Sequence, residues 1–115
     1  MEPPAHFVRI DGRTILSRAD FYAAVDGVEG TPDWFGHNLD ALFDVLVAIW
    51  PKPTTLEWTY ATASATAMGA DFDILTGVLR DAENEPRSGF SLRVFDGEAG
   101  PAEKDFREKP TWRKR

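Results

Sequence analysis

The sequence predicts a small α/β domain in which a three-stranded parallel sheet packs with three to four helices in a single layered unit. Short β-rich runs recur at 7–10, 54–58 and 90–95, and between them apolar residues fall at helical spacing. Strands separated by helical segments join as parallel neighbours through right-handed crossovers. At 115 residues, 43% hydrophobic and 28% charged, the chain suits one globular domain with one modest core. Residues 1–95 are assigned to that domain, and 96–115 to a charged C-terminal extension, either disordered or docked through Phe106 or Trp112.

The first strand is expected at Phe7, Val8, Arg9 and Ile10, ending at the turn Asp11-Gly12. Ser17 caps a helix to about Val25, with Asp20 at the capping-box distance. Phe21, Ala24 and Val25 form its apolar stripe, and Gly27, Gly30 and Pro32 break it. Asn38 caps a second helix running to about Ile49, which Pro51 and Pro53 stop. Residues 54–58 are a short β-rich strand, and 60–67 a short helix or a loop. Phe72, Leu75, Val78 and Leu79 mark a helix over 71–83, weakened by Gly77. Clean alternation over 90–95 gives the third strand.

Net charge is −6, and residues 1–95 carry −7 of it, with 14 acids against 7 bases. An acidic body argues against direct nucleic-acid binding, which needs Lys and Arg for phosphates. No apolar run approaches the ~20 residues that span a bilayer, so no membrane partner is expected. Residues 1–6 lack the basic and apolar runs of a signal peptide, and the chain has no cysteine. A cytoplasmic protein without disulfides or cofactor is expected.

The most informative stretch is Trp34-Phe35-Gly36-His37-Asn38-Leu39-Asp40-Ala41-Leu42-Phe43-Asp44. At 100° per residue, Leu39, Leu42, Val45, Leu46 and Ile49 gather on one side of the helix. Asp40 and Asp44 fall on the other, with Val47 between them and Phe43 beside. Like charges one turn apart cost a helix roughly 0.2–0.5 kcal/mol. Such a pair among outward aromatics suits a surface that receives positive charge. Asp40 has a second explanation, since a negative charge in the first turn favours the helix dipole. His37 could join both acids around a metal, but two histidines and no cysteine argue for no metal site. Paired acids can also hydrolyse glycosides across a cleft. Here both sit on one convex face, and no nucleophile triad, phosphate loop or zinc motif accompanies them. No catalytic residue is assigned.

This motif resembles the central motif of barstar-family ribonuclease inhibitors: two aromatics, Gly-x-Asn-Leu-Asp-Ala-Leu, an aromatic and Asp. Leu56-Glu57-Trp58 is similar to the family's following strand, and Val78-Leu79-Arg80-Asp81-Ala82 to its late acidic helix. The resemblance covers roughly residues 7–95 and implies the three-stranded fold. It further implies an immunity-type inhibitor that blocks the active site of a basic, extracellular-type guanyl ribonuclease or ribonuclease toxin, as a monomer in a 1:1 complex. A basic partner other than a ribonuclease is the alternative. Asp44 matches the dominant acidic anchor, Asp40 a second carboxylate, and Asp81 a third where the prototype has Glu. Trp34 stands where the prototype has Tyr, Phe43 where it has Trp, and His37 where it has Glu. Partner contacts are therefore expected from Trp34, Asp40, Phe43, Asp44, Val47 and Asp81. Phe35, Gly36, Asn38, Leu39 and Leu42 are expected to shape and anchor the motif.

Overall fold

The computed structural model describes residues 6–98. Strand β1 (His6–Asp11) leads to helix α1 (Arg18–Asp26). Helix α2 (Leu39–Asp44) continues into a π-helical turn (Val45–Ile49) and then strand β2 (Thr54–Thr59). Helices α3 (Ala61–Met68) and α4 (Ala70–Asn84) precede strand β3 (Phe90–Val94). The three strands form one parallel sheet in the order β1-β2-β3. Segment 60–67, open between loop and helix from its sequence, is helical from Ala61 onward, with Tyr60 preceding the helix at φ 50°. Helix α4 runs through Gly77, because its buried face outweighs the weak propensity of one glycine. Beyond Glu98, the expected extension lies outside the described residues.

Period-two alternation divides the sheet into two unlike faces. Val8, Ile10, Leu56, Trp58, Phe90, Leu92 and Val94 are buried. With Phe21, Phe72, Leu75 and Leu79 from the helices, they belong to one core cluster. Trp58 is fully buried, stacked on Phe21 at 5.2 Å and edge-on to Phe72. Its indole N–H donates to Ser64 Oγ (3.0 Å), whose hydroxyl donates to the Gly12 carbonyl (2.8 Å). That chain satisfies a buried donor and ties β2 to α3 and to the loop after β1.

Parallel sheets are usually covered by helices on both faces. On the second face here the register aligns Arg9, Glu57 and Arg93 in one row across the strands. Glu57 is buried, held by Arg9 Nη2 at 2.9 Å and Arg93 Nη1 at 3.7 Å. The two arginines cover the middle strand and satisfy its carboxylate, as a buried charge requires.

Candidate functional site

Loop 27–38 and helix α2 carry the motif, and local bonds fix its path. Ser17 Oγ accepts from the Asp20 N–H, as predicted for the start of α1. Asp20 returns to the Leu16 N–H instead of that of Ser17, which braces the residue before the cap. At the other end of α1, His37 Nε2 lies 2.8 Å from Asp26 Oδ2. The imidazole stacks on Tyr22 with centroids 5.5 Å apart, and Phe35 packs edge-on against the same tyrosine. Phe35 is thereby buried. Its neighbour Trp34 is turned outward, 75% exposed.

Helix α2 starts as its cap chemistry dictates. Asn38 has extended backbone, and its Oδ1 accepts from the Ala41 N–H at 2.8 Å. A Cβ on Gly36 would meet Asn38 Nδ2 at 3.2 Å, so a small residue suits the cap's position. Leu42 is fully buried and Leu39 packs partly against the core.

Asp40 and Asp44 are both exposed. Neither makes an ion pair or a side-chain hydrogen bond among the described residues. Their positions in α2 put them one turn apart on one side. Asp81 is half-buried on α4, the helix against which α2 packs, and is itself engaged within the fold.

Phe43 and Val47 require a correction. Both were expected beside the carboxylates on the outward face, yet each is only 6% exposed and belongs to the core cluster. For Val47 the reason is the π turn. The Trp50 N–H bonds the Val45 carbonyl five residues back at 2.8 Å, so the turn widens and the 100° rule fails. Val45, Leu46 and Val47 then bury in succession. For Phe43 the reason is tertiary: α4 packs against α2, so more than one side of this short helix is covered.

Sequence reasoning missed the residues that brace the loop. Trp50 donates its indole N–H to Thr31 Oγ1 at 2.8 Å, closing the segment from loop to helix end. Tyr22, Asp26 and His37 pin its middle to α1. No sequence spacing signals a π turn, and these partners lie 11 and 19 residues apart.

Beside Asp40 the loop and α1 enclose an open cleft of about 530 Å³, lined by Arg18, Tyr22, His37, Asn38, Leu39 and Asp40. The sequence left both acids on a convex face without a second wall; α1 supplies one for Asp40. That lining holds one carboxylate, whereas glycoside hydrolysis needs two acids facing across a cleft. Among the described residues, no group of three or more His, Asp or Glu is placed to hold a metal ion. Among them too, no helix is long and apolar enough to cross a membrane.

A sequence profile described as Barstar (barnase inhibitor) matches residues 5–97. The chain belongs to the barstar family. A relative from Bacillus subtilis (strain 168), named "Putative ribonuclease inhibitor YrdF", is 29% identical over 85 residues, covering 74% of this chain and 93% of the relative. The barstar-family match spans every strand and helix described above, including the braced loop and α2.

Proposed function

We propose that this barstar-family protein binds a basic guanyl-type ribonuclease, or a ribonuclease toxin, and blocks its active site without turnover. The observation that carries the reading is the Asp40–Asp44 pair: two exposed carboxylates one turn apart, unpaired among the described residues, with the exposed indole of Trp34 in the loop that precedes their helix. A nuclease site concentrates Arg, Lys and His to hold phosphate. Carboxylates at phosphate positions can form short, charge-assisted and bidentate bonds with those groups. Trp34 would cover the edge of the contact and exclude water. Asp81 would add a third carboxylate from α4. Phe43 and Val47 support the acidic face from beneath, and the Trp50–Thr31 and His37–Asp26 contacts hold it in place, which lowers the ordering cost of binding.

Membership of a family described as barnase inhibitors supports this reading, as does a relative named for ribonuclease inhibition. The protein would act as a cytoplasmic monomer, one inhibitor to one enzyme. The test is to titrate the purified protein into several basic guanyl-type ribonucleases and follow RNA cleavage. Stoichiometric loss of activity is expected. No inhibition across the set would overturn the ribonuclease assignment and leave a basic partner of another kind for the same face.

A further inference from the structure

Strand β1 is an edge: among the described residues, β2 is the one strand that pairs with it. At its two ends the His6 N–H bonds the Pro53 carbonyl and the Gly12 N–H bonds the Thr59 carbonyl. Even-numbered residues of β1 therefore turn their backbone groups toward β2, and Phe7, Arg9 and Asp11 turn theirs away. The Asp11 carbonyl is taken by the N–H and hydroxyl of Thr14. The Phe7 carbonyl, both Arg9 groups and the Asp11 N–H have no partner among the described residues. Such an edge is a template for one more strand.

Beside that edge a groove of about 360 Å³ runs between β1 and the second half of α1. Val8, Ile10 and Ile15 line one wall, and Ala23, Ala24 and Val28 the other. The opposite face of the strand adds a charge pattern. Across the sheet the row Arg93, Glu57, Arg9 alternates in sign. Arg9 donates through Nε and Nη2 to one oxygen of Glu57, at 3.1 and 2.9 Å. Its side chain is more than half exposed, and Nη1 is left for a further acceptor. A residue paired with Arg9 on an added strand shows its side chain on the same face, where an acid continues the alternation and a base is repelled. Two copies joined edge to edge about Arg9 would set like charges opposite each other.

We propose that β1 and α1 form a docking groove for an extended segment of a second protein. That segment places an Asp or Glu beside Arg9, and the apolar side chains before and after it enter the groove. Main-chain bonds along the edge supply affinity, and the alternate side chains select the sequence. The contact uses neither Asp40 nor Asp44, so it is separate from the nuclease reading.

The test follows the full-length protein by amide and methyl NMR with two capped peptides, Thr-Val-Glu-Val-Thr and Thr-Val-Lys-Val-Thr. The Glu peptide is expected to shift the amides of Arg9 and Asp11 and the methyls of Ala24 and Val28, half-saturating at a concentration on the order of millimolar. The Lys peptide is expected to bind about three- to tenfold more weakly. Arg9→Gln should remove that difference. Ala23→Leu changes an exposed helical position, narrows the groove and should weaken both peptides. No shift at β1 at ten times that concentration would overturn the proposal, as would equal binding of the two peptides to the native protein. Shifts of the β1 amides that follow protein concentration alone would place a second copy on the edge and overturn it too. A failed nuclease titration would leave this result standing, because the peptides report on β1 and α1 directly.

Discussion

Trp50, the first residue after the π turn, donates its indole N–H to Thr31 Oγ1 at 2.8 Å, nineteen positions earlier in the chain. Trp50 is also buried, so one side chain seals the core and closes the acidic segment into a loop. Thr31→Val keeps the shape and removes the acceptor, leaving the buried indole unpaired at a cost of about 1–3 kcal/mol. We expect lower stability in urea, with faster amide exchange concentrated between residues 31 and 50. Uniformly faster exchange would show that the bond has no special role in bracing the loop.

Asp44→Ala is expected to weaken partner binding by at least tenfold, because cations of the partner would be buried without a counter-charge. Glu98→Gln serves as the control. Glu98 is exposed and lines a different cleft with Arg9, Asp11 and Arg13. Calorimetry giving equal losses for the two variants would remove Asp44 from the centre of the contact.

Salt should act mainly on encounter. An acidic body facing a basic enzyme accelerates association at low ionic strength, and a Debye length of about 8 Å at physiological salt already screens much of this. Barnase and barstar are themselves the reference case for such steering. Stopped-flow mixing across a salt series should show association slowing more than dissociation speeds up; the opposite trend would contradict steering.

Ser64→Ala should separate stability from binding. It removes the acceptor of the fully buried Trp58 N–H, whose loss costs about 1–3 kcal/mol. For a domain of this size that corresponds to a Tm lower by roughly 4–20 °C. Inhibition per folded molecule should stay unchanged. A variant with native Tm would show that the Trp58–Ser64 bond contributes little.

Asp11 offers a pH prediction. The Arg13 side chain and backbone N–H both donate to its carboxylate, holding its pKa below the ordinary range. Because the folded value is depressed, any stabilisation is present above the unfolded value and fades as pH falls through the folded one. Arg13→Gln should raise the Asp11 midpoint in a carbon-detected NMR titration. An unchanged midpoint would show that Arg13 is not the cause.

The sequence by itself determined the element order, the parallel sheet and the two helix caps. Those features follow from local rules, namely the period of the apolar residues and the reach of a Ser or Asn side chain to a nearby N–H. It also indicated that Leu42 anchors α2 and that Asp40 and Asp44 look outward. The fate of Phe43 and Val47 was decided by tertiary structure. A helical wheel assumes one fixed angle per residue and one covered side, while the π turn changed the angle and α4 covered another side of α2. The exposure of Trp34 beside buried Phe35 was likewise set at a distance, by Tyr22, His37 and Asp26 on and against α1. Contacts between residues far apart in the chain leave no periodic trace, so only the folded structure reveals how the acidic face is held.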